Sequence, residues 1–301
     1  MIARPVSLTE STSRRLFEHD SEKPGPISAK GYAQTDARPA QALAARFKEV
    51  RLSHSRQPIF NVPPVVVTLL VVLGLIHAVR DLLLSDELDR ILIWTFAFVP
   101  ARYDASALID GVLPGGWGAE IWGFFSYAFL HADLMHIGFN GIWLLAFASP
   151  VERRFGGLRF LPFFAVTVAA GALAHLLTHA GELAPLIGAS AGVSGAMGAA
   201  ARFAFEPGGP LDMWQRNRED THRVPAAPLL VALRNPRVLT FLAVWFGLNL
   251  LFGLGSMPLV AESQTVAWEA HVGGFLAGLL LFSAFDPVEP LRAAEDGPTL
   301  H

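Results

Sequence analysis

The sequence predicts an all-α integral membrane protein, a bundle of six transmembrane helices with both termini in the cytoplasm. Three observations carry that expectation. Of 301 residues, 52% are hydrophobic and only 16% charged. The mean hydropathy of +0.41 lies well above that of a soluble domain. Six stretches approach the roughly 20 apolar residues needed to cross a bilayer. Lys and Arg also alternate in abundance from loop to loop. The chain has no cysteine, so disulfide and thiol chemistry drop out. No basic stripe able to follow nucleic-acid phosphates stands out, and nucleic acid is not an expected partner.

Residues 1–62 read as a cytoplasmic N-terminal segment, partly disordered and rich in Lys and Arg. Its start is polar and lacks the apolar stretch of a signal peptide. Within it, "AQALAARFKEVRL" (40–52) has the pattern of an amphipathic helix able to lie on anionic lipid. The six-span domain is expected over 63–284 and a cytoplasmic tail over 285–301. The spans are read at about 63–84, 122–149, 158–180, 187–206, 236–256 and 264–284. The run "ILIWTFAFVP" (91–100) is too short to cross and belongs to a long first loop at the interface. Arg153, Arg154 and Arg159 follow the second span, and Arg202, Arg216, Arg218, Arg223, Arg234 and Arg237 follow the fourth. The loops 178–188 and 253–267 contain no Lys or Arg. Positive charge stays on the cytoplasmic side, which places those two loops outside.

Polar groups inside spans are costly and mark candidate sites. The second span carries His131, His136 and Asn140, the last two on one helix face. The fourth opens with Ser190 and Ser194, and the sixth carries Glu269 and His271. These three spans run in the same direction, so the polar groups share a depth near the outer edge. A serine hydroxyl with a histidine base, a free helix-start N–H and side-chain donors is sufficient for acyl transfer. Taken singly, each serine reads as a small packing residue. The small-residue spacings Gly188–Gly192, Gly195–Ala199 and Gly274–Gly278 allow close helix approach and would set Ser190 beside His271. A metal on His131, His136 and His271 is disfavoured, because a five-residue gap puts two ligands on different helix faces. His77, His175, His179 and Asn249 read as interfacial or packing residues.

In order and at matching depth, "FLHADLMHIGFN", "ERRFG" (152–156), "GAS…GAMGA" and "AHVGGFLAG" resemble the rhomboid family of intramembrane serine proteases. The resemblance covers about 63–284. It implies a Ser-His dyad without a third acid and no cofactor or metal. It also implies an oxyanion site, and single-span membrane protein substrates cut near the outer face of the lipid bilayer after lateral entry between helices. A multi-pass protein of the bacterial inner membrane is the implied setting. Residue by residue, it implies that His271 is the base, with oxyanion donors from His136, Asn140 and the Ser190 N–H. In the family a glycine eight positions after the nucleophile packs against glycines that follow the histidine. Counting from Ser190 reaches Gly198, whereas counting from Ser194 reaches Arg202, which is not expected to pack there. Ser190 is therefore the implied nucleophile.

Two departures stand out. Ala191 replaces the glycine that follows the serine, and the Trp-Arg pair of the first loop is missing despite Trp94, Arg102 and Trp117. The alanine keeps open a weakened or inactive rhomboid-like protein that binds membrane clients. A small transporter is disfavoured, because its polar residues belong at mid-bilayer on broken helices.

Overall fold

The computed structural model describes residues 62–104, 106, 113–211, 219–253 and 267–289. The expectations for the N-terminal segment and the C-terminal tail lie outside these residues, as does most of loop 253–267. Helices account for the described architecture, and the only β pairing among them is one bridge between Phe98 and Leu186.

Helix α1 (Pro64–Leu83) starts on a proline whose missing N–H would be an orphan there in any case. Its inward stripe is Val66, Leu73, His77 and Arg80, while Val71, Leu75, Leu82 and Leu83 face outward. An apolar exterior around a partly polar interior is the reverse of a soluble protein and suits lipid. Ser85 caps α2 (Asp86–Phe96) by accepting the Leu88 N–H at 3.4 Å. Asp86, Glu87 and Asp89 favour the positive end of its dipole. Residues 91–96 of the run read as part of a loop are thus helical, and α2 is tied to α1 by a bidentate Arg80–Asp89 pair at 2.7 and 3.1 Å.

The predicted second span is two elements. Helix α3 (Gly116–Ser126) stops at a 3₁₀ turn, and α4 (Leu134–Phe155) begins where the Asp133 carboxylate accepts the His136 N–H at 2.8 Å. Pro150 has no N–H for the preceding turn, and α4 adopts a π-helical turn over Leu144–Ala148. The helix continues through Arg153 and Arg154, which were expected in a loop.

Helix α5 (Gly157–Thr178) buries Phe160, Phe163, Phe164, Thr167, Val168, Gly171, Ala172 and His175, one stripe at helical spacing. Helix α6 (Ser190–Ala200) has only 11 residues, about 16 Å against a hydrocarbon core of about 30 Å. It buries every residue from Ala191 to Ala200, so its small side chains reflect enclosure by protein on all sides. Helices α7 (Pro236–Gly253) and α8 (Trp268–Phe285) complete the order. Among the described residues four helices, α1, α4, α5 and α8, are long and apolar enough to cross a membrane, and α7 is shorter in its apolar part. The chain is a multi-pass integral membrane protein.

Candidate active site

The seam between α6 and α8 positions the site. A Cβ on Gly274 would overlap the Ala191 carbonyl, one on Gly278 the Gly195 carbonyl, and one on Gly198 the Phe275 carbonyl. Backbone therefore lies on backbone along the whole seam, a distance only glycine permits. This register sets the turn of α8 that carries His271 beside the first turn of α6, where Ser190 stands half exposed. Ser194, one turn further in, is only 4% exposed. Arg202, expected not to pack, is buried beyond the end of α6. Its guanidinium donates to the Leu279 carbonyl at 3.1 Å and lies over the Phe282 ring at 5.0 Å. The chain has left the helix by then, so a long side chain fits where a helical one would collide.

Facing α6 from the other side, His136 receives the Ala132 N–H on Nδ1 at 3.4 Å. That assigns the ring proton to Nε2. This nitrogen lies 2.6 Å from where a Gly188 Cβ would be, and Ser190 Oγ lies 3.7 Å from the same point. Gly188 has φ +114° and must be glycine for both conformation and space. Its N–H donates to the Tyr127 carbonyl at 3.0 Å, while the Phe98–Leu186 bridge holds the preceding loop. Asn140 is buried and donates one amide hydrogen to the His136 carbonyl at 2.9 Å, keeping a second. His131 is fully buried, and its Nε2 accepts the Ala189 N–H at 3.4 Å beside Ser190.

The position sequence reading missed is Asn249. Its amide nitrogen donates to the Trp245 carbonyl at 2.8 Å, which turns the amide oxygen toward His271 Nδ1 at 2.6 Å. An oxygen can only accept, so Nδ1 carries the proton and the Nε2 lone pair is free. Nothing along the chain pairs these residues, because they stand 22 positions apart. The only signal was an amide in an otherwise apolar span.

A family model described as the Rhomboid domain matches residues 118–285, more than half of the chain. The chain belongs to the rhomboid family. Among curated proteins, it is 35% identical over 75 residues to Rhomboid-related protein 3 of Homo sapiens, covering 25% of this chain and 18% of that one. It is 37% identical over 60 residues to Rhomboid protease GlpG of Klebsiella pneumoniae (strain 342), covering 20% of this chain and 21% of that one. The alignments span about a fifth of each relative's length.

Against the rhomboid pattern, Ala191 is the departure to examine. Its methyl points at α5, where a Cβ on Gly171 would overlap it, and the residue is 1% exposed. The space gained by the alanine on α6 is space left empty by a glycine on α5. In the first loop of this rhomboid chain, Arg102 donates to the carbonyls of Trp94 and, at 2.7 Å, Pro114. Tyr103 donates to the Glu120 carbonyl at 2.6 Å, and burial pushes its hydroxyl up to about 12, so it stays a donor. The loop is cross-braced without the Trp-Arg pair.

Proposed function

We propose that this protein is an intramembrane serine endopeptidase that cleaves single-span membrane protein substrates near the outer face of the bilayer. In this reading the chain crosses six times with both termini in the cytoplasm, in the bacterial inner membrane. The observation that carries it is the Asn249–His271 bond, which leaves Nε2 of His271 as a base on the helix packed against Ser190.

The chemistry follows in two halves. His271 Nε2 takes the Ser190 hydroxyl proton as Oγ bonds to the scissile carbonyl carbon. The charge that develops on the carbonyl oxygen is met by the Ser190 N–H, the His136 Nε2–H and the free amide hydrogen of Asn140. The protonated His271 then gives its proton to the leaving amine as the C–N bond breaks. Water, deprotonated by the same nitrogen, attacks the acyl carbon and releases Ser190. Asn249 acts as a positioning residue, holding the imidazole in the tautomer this sequence requires. No metal or cofactor enters.

Packing of the Ala191 methyl against Gly171 removes the steric ground for an inactive client-binding protein. The test is fluorophosphonate labelling in membranes. Wild type and Ser194→Ala are expected to label, and Ser190→Ala is not. Label retained in Ser190→Ala but lost in Ser194→Ala would reassign the nucleophile, and no labelling at all would favour the inactive protein.

A further inference from the structure

We propose that His175, His179 and Glu269 form a site for one divalent transition-metal ion of the zinc class. The site clamps the ends of α5 and α8 that lie beside the active-site helices. Their ligand atoms already lie within 4.8 Å of one another. A tetrahedral ion with bonds of about 2.0 Å would draw them to edges of roughly 3.3 Å, a shift within rotamer reach. Two imidazoles and a carboxylate with an open fourth position suit Zn²⁺ better than the hard cations Mg²⁺ or Ca²⁺.

Three independent features support a built site. His175 is 5% exposed, and neither of its ring nitrogens has a hydrogen-bond partner among the described residues. A buried imidazole so left incurs a desolvation penalty that a bound cation would remove. Next, the Thr178 hydroxyl points to the carbonyls of Ala174 and His175 at 3.1 Å each and has His179 Nδ1 at 2.8 Å. When that hydroxyl gives its proton to the backbone it accepts from Nδ1–H, the tautomer in which Nε2 of His179 is free to ligate. That is the outer-sphere arrangement which orients metal-bound histidines. Finally, the platform is rigid. His175 lies in the last turn of α5 and His179 caps that turn, its N–H donating to the His175 carbonyl at 2.9 Å, and Gly273 of α8 lies so close to α5 that a Cβ there would fall 2.6 Å from the Ala170 carbonyl. Glu269 stands one turn from that contact on α8, and the antiparallel helices carry it to the level of the histidines.

The histidines are four apart in sequence, but their partner is 90 positions away. The site stands apart from the proteolysis reading, since none of its ligands is assigned to acyl transfer. It begins two residues before His271, so occupancy fixes the start of the helix that carries that side chain.

The experiment uses the full chain without an affinity tag, in the Ser190→Ala form, in detergent micelles. Zn²⁺ is titrated by calorimetry and Co²⁺ by visible absorption. One ion per chain is expected, with a tetrahedral-type Co²⁺ spectrum. Glu269→Gln and His179→Ala, both at partly exposed positions, are expected to weaken binding at least about tenfold each. Absence of binding overturns the site, and so does binding that neither substitution changes. The Ser190→Ala background makes the result independent of whether the protein cuts anything.

Discussion

Two polar clusters lie at opposite ends of α8, and they are built on opposite rules. At the C-terminal end, Arg154 is held bidentately by Asp286 at 2.9 and 2.8 Å and donates to the carbonyls of His222 and Val224 at 2.9 and 2.7 Å. Its guanidinium also lies 4.6 Å over the Phe203 ring. The Arg154–Asp286 pair is itself well satisfied, although His222 Nδ1 and Arg202 Nε beside it have no partner among the described residues, and the pair joins residues 132 positions apart. At the N-terminal end, the half-exposed Ser190, the free Nε2 of His271, the Nε2–H of His136 and the two bare nitrogens of His175 are left with capacity to spare. Saturation is what a structural cluster needs, because an unpaired buried charge is costly. Unused valences next to exposed groups are what a reacting or ligating site needs.

That contrast is open to direct attack. The largest expected effect is at the unsaturated end. Ser190→Ala should lower cleavage of a model transmembrane substrate about 10⁴-fold or more. Its melting temperature should match wild type, because no hydrogen bond among the described residues ends on that hydroxyl. A large loss of stability would place the serine in the structural class instead.

Next is Arg154→Met, which strands the Asp286 carboxylate and should cost about 3–5 kcal/mol by denaturant unfolding in micelles. The double variant with Asp286→Leu should recover most of that, and failure to recover it would show that the guanidinium matters for more than its partner. Asn249→Leu tests the bond between α7 and α8. A fall of about 10- to 100-fold in kcat with KM little changed is expected. A pH–rate profile displaced along the pH axis would separate a changed base from a merely loosened helix. Asn249→Gln should recover part of the rate if the amide can still reach Nδ1.

A smaller effect belongs to packing. Gly171→Ala overfills the contact with Ala191 and should cost about 1–3 kcal/mol. Adding Ala191→Gly should restore part of it. The rest remains because the new methyl would also lie 2.8 Å from the Ala270 carbonyl. Smallest is a pH effect at the saturated end. Burial, with Arg153 and Arg154 nearby, lowers the His222 imidazole from 6.5 to about 4. An unfolded chain therefore binds that proton first, so stability should fall as pH drops from about 6.5 toward 4. His222→Gln should flatten that part of a thermal melt series.

How much of this was readable beforehand depends on the range of the interaction. The long apolar helices and the small-residue spacings within α6 and α8 are local patterns, and sequence spacing was enough for them. The division of 122–149 into α3 and a later span was lost because both parts are equally apolar. The shortness of α6 was hidden for a related reason, since hydropathy cannot tell a helix facing lipid from one enclosed by protein. Asn249 was read as interfacial or packing because its partner His271 stands on a different helix. Side-chain chemistry across 20 or 90 positions has no periodicity to betray it.

The methyl of Ala191 bears on how members of this family are recognised. The room around the serine helix is a shared volume, which in this chain the Ala191 methyl of α6 fills and Gly171 of α5 leaves open. A search pattern that insists on glycine after the serine tests one half of that division. It would discard this chain for an atom lodged against its neighbour, while a pattern reading positions 171 and 191 together would keep it.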